Sequence, residues 1–525
     1  MVLRPYQNAA VEAIRNQWKL DYKKTLLVLP TGTGKTVVFS KVVEEEIKDG
    51  SNALILAHRG ELLDQAAVKL METSGLDSAL EKAESTAIGS KKKVTIASVQ
   101  TLAQEKRLTN FPKDYFKTIV VDEAHHSMSD TYQRILNYFD GANILGVTAT
   151  PDRSDQKSLG KYFDSKAYEY TLHQAIKDGY LSPVKAQMIP LELDIHNVSV
   201  SNGDYAVGDL GTALEPYLNQ IALEMLKYCK GRKTVVFLPL VKTSQKFCEL
   251  LNLHGIKAAE VNGYSKDRDE ILADFEAGEY DVLCNSMLLT EGWDSPAVDC
   301  IIVLRPTKIR SLYQQMVGRG MRLAPNKKEL LLLDFLWMTE RHDLCKPSAL
   351  LSKDTEIAKR INQKMMDKES GIDLLEAEKD AESDVIKERE EALARELAAM
   401  KKRKSKLVDP IQYAFSIAAE DLANYEPTFT WEMGPATERQ LSYLEKQGIH
   451  IEAVSCFGMA SMLIDKLKSR QVEGLATPKQ IRLLERYGFN HVGMWPFDSA
   501  SKMVSRLAEN RWQLPKGINV SSYQP

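Results

Sequence analysis

The chain has 525 residues, too many for a single core, and its length implies about three or four domains. It is 44% hydrophobic and 27% charged with a net charge of −3, so a nucleic-acid surface on it has to be a local groove and not a charged coat. Six scattered cysteines without a C-x-x-C pair argue against a zinc site and a disulfide framework and fit a reducing compartment. No apolar run reaches membrane-spanning length, and the N-terminus lacks a signal peptide's basic-then-apolar order. The expectation is a cytoplasmic protein with no membrane contact.

The first element, after Arg4-Pro5-Tyr6-Gln7, has apolar residues at Ala10, Val11, Ile14 and Trp18 and reads as a helix. Gln7 could present both a donor and an acceptor to an adenine edge, although a glutamine near a helix start is usually plain surface. Next, Leu26-Leu27-Val28-Leu29 runs into Pro30-Thr31-Gly32-Thr33-Gly34-Lys35-Thr36 and then a helix-like segment. That order suits phosphate: small residues let backbone N–H groups curl around an anion, and the helix N-terminus faces it. Lys35 would reach the β/γ-phosphates and Thr36 would ligate Mg²⁺. The strict P-loop pattern asks for Gly where this chain has Leu29, so a structural turn remains the alternative at this point.

Four more strand-like runs follow: 53–57, 94–98, 118–121 and 144–147. Each ends in polar residues, namely His58-Arg59, Gln100-Thr101, Asp122-Glu123-Ala124-His125 and Thr148-Ala149-Thr150. Strands alternating with helices imply a parallel sheet that binds its ligands at the carboxyl ends of the strands. Two acids at a buried strand tip are costly unless they hold a cation or a proton. Asp122 is the expected Mg²⁺ ligand, and Glu123 the expected base for the water that attacks the γ-phosphate.

The stretches 30–36, 122–125 and 148–150 resemble motifs I, II and III of the superfamily 2 helicases, and Asp122 to His125 spells the DEAH form. That family does not require Gly at position 29. The resemblance implies nucleotide contacts from Arg4, Gln7 and the loop Thr31, Gly32, Thr33, Gly34, Lys35 and Thr36. It also implies nucleic-acid backbone contacts from His58, Arg59, Gln100 and Thr101.

Residues 166–225 read as a connector. A second alternating pattern from 234 to 334 has no P-loop of its own. Within it, Leu289-Thr290-Glu291-Gly292-Trp293-Asp294 resembles motif V, and 314–322 resembles motif VI in nearly every residue. Gly292 and Asp294 are then expected at the nucleotide, Gln315, Arg319 and Arg322 at the reacting phosphate, and Gly263, Tyr264, Thr290 and Glu291 on the nucleic-acid side. Arg319 and Arg322, three apart, are expected on one helix face, supplying guanidinium charge from across a cleft.

The resemblance stops near residue 340. Charge-dense sequence from 352 to 406 has Ile357, Ile361 and Met365 at helical spacing and a stripe through Ile386, Leu393, Leu397 and Met400. It closes on Lys401-Lys402-Arg403-Lys404, which suits either phosphate or a helix C-terminus. An offset of 40 residues then repeats: 436–441 recurs at 476–481, Gly448 as Gly488, Phe457 as Phe497 and Leu467 as Leu507. Each copy should be a helical hairpin capped by Thr437 or Thr477, with Trp495 and Trp512 in the core.

The expected fold class is α/β: two tandem RecA-like parallel-sheet lobes, then a helical segment and a small all-α repeat module. The expected boundaries are 1–165 for the ATP-binding lobe, 166–225 for the connector and 226–345 for the second lobe. The charged helical segment takes 346–410 and the repeats 411–525. The expected activity is an ATP-dependent helicase or translocase using ATP and Mg²⁺ on nucleic acid. DNA is expected over RNA, because the pattern resembles the DNA-acting members that include restriction translocases. The alternative is an ATPase switch that recruits a protein partner through the repeats.

Overall fold

The protein is described by a computed structural model over residues 2–57, 60–83, 85–149, 159–201, 203–286, 288–290, 293, 295–338, 344–352, 355–367, 371–385, 410–417, 419, 422, 425, 427, 430–515, 518, 520, 523 and 525. His58, Arg59, Thr150, Glu291, Gly292 and Asp294 lie outside these residues, as do the stripe from Ile386 to Met400 and the basic run 401–404. The chain divides into two units, Met1–Glu378 and Lys379–Pro525.

Apolar runs that have to be buried on both faces favour parallel sheets covered by crossover helices. In the first unit, α1 (Pro5–Lys19) precedes β1 (Lys24–Val28), and α2 (Lys35–Glu46) follows it. The first sheet continues with β2 (Asn52–Ala57), β3 (Ser78–Glu81), β4 (Val94–Ser98), β5 (Phe116–Asp122), β6 (Asn143–Thr148) and β7 (Ser165–Glu169). Its order is β3-β4-β2-β5-β6-β1-β7, and every pairing is parallel.

The second sheet is built from β8 (Val184–Asp194), then, after the short β9 (Val200–Ser201) and β10 (Asp204–Tyr205) pair, β11 (Thr234–Phe237), β12 (Ala258–Val261), β13 (Val282–Asn285), β14 (Cys300–Val303), β15 (Leu330–Met338) and β16 (Ile372–Asp373). Between β14 and β15 runs α3 (Arg310–Gly318). The order is β12-β13-β11-β14-β15-β8-β16, parallel except for β16, which runs antiparallel to β8.

Two spans differ from expectation here. The stretch read as a connector supplies β7 to the first sheet and β8 to the second. Pro190 makes β8 read as broken, since proline cannot complete a ladder. A register shift in the pairing with β15, between Phe335 and Leu336, accommodates it. The span read as purely helical contains the helix Thr355–Met366, with Ile361 and Met365 buried, and also β16.

The second unit is helical: α4 (Glu438–Gln447), α5 (Phe457–Val472), α6 (Pro478–Arg486) and α7 (Phe497–Glu509). The repeat holds down to single bonds. Thr437 and Thr477 each accept from the N–H three residues on, and Gln440 and Gln480 donate to Ser461 and Ser501, both at 2.8 Å. Gly448 and Gly488 stop the first helix of each copy at φ 94° and 89°. Trp495 is 2% exposed, as a core residue should be, but Trp512 is 51% exposed and is not in the core.

Candidate nucleotide site between the lobes

β1 ends at Val28, and Leu29 N–H donates to Thr148 O at 3.0 Å, so the loop leaves the sheet beside the end of β6. Gly32 and Gly34 then take φ of 88° and 83°, which L side chains rarely adopt. Gly34 has a second reason to be glycine, because a Cβ there would lie 2.6 Å from Gln7 Nε2. Thr33 closes the turn by donating from Oγ1 to Pro30 O at 2.7 Å. Thr36 is the second residue of α2, whose N-terminal N–H groups complete a cradle for an anion.

Gln7 and its neighbours brace this loop. Gln7 Nε2 donates to Thr33 O at 3.1 Å, and its Oε1 accepts from Arg4 N at 2.9 Å. Tyr6 OH donates to the same carbonyl at 2.6 Å. Its ring stacks on Tyr170 at 4.4 Å, while Arg4 lies 5.0 Å from the ring centre of Tyr180. The Gln7 amide therefore ties α1 to the loop, a use that spacing alone did not suggest. Tyr6, the direct contact beside it, went unmarked because a lone tyrosine on an apolar face reads as core.

At the tip of β5, Glu123 follows Asp122 with φ 52°, an uncommon conformation for a non-glycine residue and one that re-aims its side chain. Lys35 Nζ donates to Glu123 Oε1 at 2.8 Å, both side chains being largely buried. His125 Nδ1 lies 3.5 Å from Oε2. Burial alone would raise the Glu123 carboxyl, but the Lys35 ammonium, His125 and Arg319 outweigh it and hold the group below the usual carboxylate range. Asp122 Oδ1 accepts from Glu123 N at 3.0 Å.

The second sheet faces this loop with the segment after α3. The expectation of two arginines on one helix face is corrected: α3 ends at Gly318, Arg319–Met321 form a 3₁₀ turn, and Arg322 is extended at φ −67°, ψ 148°. Crowding shapes the turn. A Cβ on Gly318 would come within 2.9 Å of Thr31, and one on Gly320 within 2.5 Å of Leu330. Arg322 Cγ lies 3.3 Å from the Cβ position of Gly32, which puts this side chain over the glycine loop. Burial lowers its pKa to about 10. Arg319 Nη1 donates to Trp293 O at 2.7 Å. Gln315 is buried in α3.

Sequence reasoning missed Lys327. Its Nζ donates to Val298 O and Gly320 O at 2.5 Å and to Arg322 O at 2.8 Å, pinning the arginine turn from below. Burial brings it down to about 8, with Asp299 pulling the other way. The only trace in the sequence is a turn-like Pro325-Asn326, and Asn326 is at φ 67°.

The other expected contacts among the described residues have partners or surroundings of their own. Gln100 Oε1 accepts from Ser98 Oγ at 2.9 Å, and Thr101 Oγ1 accepts from Ala83 N at 3.3 Å. Gly263 is exposed and Tyr264 is 89% exposed beyond β12. Thr290 ends the short turn Leu288–Thr290.

The donor set suits a nucleoside triphosphate with its cation: an N–H cradle, a lysine, a serial carboxylate pair and arginines from the facing sheet. For Mg²⁺ there are the Thr36 hydroxyl and the Asp122 carboxylate, few enough ligands for an ion that keeps water and phosphate oxygens. Among the described residues no cluster of three or more His, Cys, Asp or Glu could form an all-protein metal cage.

This fold and site are similar to those of the superfamily 2 helicases. Residues 1–153 match the model of the type III restriction enzyme res subunit, and residues 218–324 match the helicase conserved C-terminal domain. A Saccharomyces cerevisiae protein described as an ATP-dependent helicase, IRC3, is 32% identical over 64% of this chain and 51% of its own length. A Sulfurisphaera tokodaii protein named DNA 3'-5' translocase XPB2 is 27% identical over 64% of this chain and 81% of its own. A fragment of a type I restriction enzyme HsdR subunit from Vibrio vulnificus aligns with a TM-score of 0.50 at 25% identity, covering 64% of each chain. The chain spans about half the length of the first curated relatives it matches, 51% and 57%. A Schizosaccharomyces pombe relative is named as mitochondrial. No helix among the described residues is long and apolar enough to cross a membrane.

Proposed function

We propose that the protein is an ATP-driven translocase or helicase acting on nucleic acid, DNA before RNA. The observation that carries this is the Lys35–Glu123 pair at 2.8 Å beneath a glycine loop on which Arg322 of the opposite sheet already rests. A triphosphate entering the cradle offers Lys35 a stronger anion than a carboxylate. Glu123 is then free to take a proton from the attacking water. Arg319 and Arg322 meet charge that develops on the γ-phosphate, and closing the lobes brings them in and excludes water. Mg²⁺ bound by Thr36 and Asp122 would neutralise phosphate charge. Gln315, Gly292 and Asp294 complete the nucleotide side. His58, Arg59, Gln100, Thr101, Gly263, Tyr264, Thr290 and Glu291 are proposed on the strand side.

The preference for DNA draws support from relatives named as restriction enzyme subunits and as a DNA translocase. The division proposed is a first lobe through β7 at Glu169, a second lobe from β8 to β16 at Asp373, and the repeat module from 411. Six free cysteines agree with a reducing compartment, the cytoplasm by preference. The test is the ATPase rate with single-stranded, duplex and forked DNA and with RNA, run beside displacement of a labelled strand. A rate unaffected by any nucleic acid overturns the motor. Stimulation without displacement or movement replaces it with a recruiting switch.

A further inference from the structure

The two repeat copies share their caps, their stops and their cross-helix bonds, but not their charge. Residues 436–475 carry five cations and five carboxylates, whereas residues 476–515 carry six cations and three carboxylates. Of those three, Glu485 is raised to about 7 by burial, so the second copy is the more cationic still. Lys479 is engaged on Lys446 O at 3.0 Å. Arg482, Arg486, Lys502, Arg506 and Arg511 form no ion pair among the described residues. Arg482 and Arg486 lie one turn apart on α6, and Arg482 is lowered by burial and then by Arg486.

The copies also end differently. In the first, α5 runs on to Val472, and Arg470 is buried with Nη2 donating to Ala476 O at 3.4 Å and to Gly493 O, which joins the copies. In the second, α7 stops at Glu509, and both Arg511 and Trp512 take positive φ, 54° and 63°. Consecutive left-handed non-glycine residues are strained, and the surroundings have to hold them. Here they do. Trp512 N donates to Leu507 O at 2.7 Å, Asn510 Nδ2 to Gln513 O at 3.0 Å, and Tyr487 OH to Trp512 O at 2.9 Å. The last bond fixes the turn against the end of α6, beside Arg486. The strained turn thus holds a half-exposed indole in the open, with Arg511 next to it in sequence and Arg486 next to its anchor.

We propose that this turn and the end of α6 form a single-stranded nucleic-acid site, in which Trp512 stacks on a base and Arg486 and Arg511 hold the flanking phosphates. An aromatic face with arginines around it recognises any unpaired base without reading its edge, and a duplex hides that face. The site goes beyond the motor reading and needs no nucleotide.

The test uses the full chain without ATP, with labelled oligo(dT), oligo(U) and blunt duplex as probes. Trp512→Ala should weaken oligo(dT) binding by about 5-fold or more, since stacking contributes roughly 1–3 kcal/mol per base. Trp512→Phe should recover most of that affinity. Arg486→Ala/Arg511→Ala, which leaves the turn's bonds intact, should weaken binding and flatten its salt dependence by about 0.7 per arginine. A bromouracil-substituted strand should crosslink to the peptide holding Trp512, which keeps this contact distinguishable from any made by the motor. Equal loss on oligo(dT) and oligo(U) supports the site as stated, and loss on only one narrows it to that nucleic acid. Unchanged affinity and salt slope in all variants, with no crosslink, overturns the proposal and leaves the surface to a protein partner. Failure of the motor reading would show separately, as an ATPase that no nucleic acid stimulates while the Trp512 crosslink persists.

Discussion

The two sheets of the first unit start from nearly the same opening and diverge within three residues. β1 leads into Leu29-Pro30 and β11 into Leu238-Pro239, and the first of each pair donates its N–H to a neighbouring strand end, Thr148 O at 3.0 Å and Asn285 O at 2.9 Å. After Pro30 come four residues, two of them left-handed glycines, before α2 begins. After Pro239 the chain enters the helix Val241–Leu253 at once, with no glycine between. One sheet thereby gains a cradle of N–H groups, and the other packs its helix directly and can offer only side chains, which it does from the turn after α3. Whether a sheet of this kind binds phosphate is decided by the few residues at one strand end.

The largest effect should come from breaking the cradle side. Lys35→Ala should abolish measurable hydrolysis, and Glu123→Gln should lower turnover about 10²–10⁴-fold while ATP still binds, because an amide cannot take the proton. Normal turnover in Glu123→Gln would remove the base assignment. Since Glu123 sits below the usual carboxylate range when paired with Lys35, it is ionised throughout the neutral range. In the free enzyme, then, kcat/KM should fall only on strong acidification, as its pH profile would show.

Breaking the other side should cost somewhat less. Arg319→Ala and Arg322→Ala are each expected to lower kcat about 10²–10³-fold with ATP affinity nearly unchanged. The reverse pattern, weak binding with normal saturated turnover, would make them ground-state contacts. Lys327→Met sharpens the comparison further: it touches no nucleotide, yet loosening the turn should lower kcat about tenfold without changing Kd.

The smallest effect lies in the second unit and concerns stability. Glu485 accepts from Ser416 Oγ at 3.1 Å, and burial raises it from 4.5 to about 7. The folded state therefore binds a proton that the unfolded chain has lost, so stability is full below about pH 4.5 and declines until about pH 7. Glu485→Gln should remove that slope and stabilise the unit at pH 8 by on the order of 2–3 kcal/mol. Melts of the two proteins at pH 5 and pH 8 would show it, and parallel slopes would exclude it.

Much of this was legible in the sequence, for physical reasons. Short apolar runs alternating with helical segments and ending in polar clusters point to strands of a covered parallel sheet, and the 40-residue repeat showed its own caps and stops. What was not legible depended on distance. Pro190 hid β8, because a proline argues against a central strand, and the pairing with β15 passes it by, from Ile189 to Glu192. The arginine turn follows from the crowding of Gly318 by Thr31 of the other sheet, which no local spacing reports. Trp512 looked like core because nothing local shows that the turn after α7 leaves its indole half exposed.

The link between the lobes has a mechanical consequence. Between β7 and β8, Ser182 N donates to Met321 O at 2.7 Å and Ser182 Oγ to Arg322 O at 3.1 Å, while Leu181 lies 3.1 Å from the Cβ position of Gly32. The arginine turn therefore hangs on the axle where one lobe passes into the other, and not on the rim. With β12 five strands away from β8, a swing of about 10° about that axle would shift Arg322 by a fraction of an ångström and β12 by roughly 4 Å, at strand spacings of about 4.8 Å. If the proposed closure turns about that link, the arms are unequal, and a short movement at the phosphate becomes a long stroke at Tyr264.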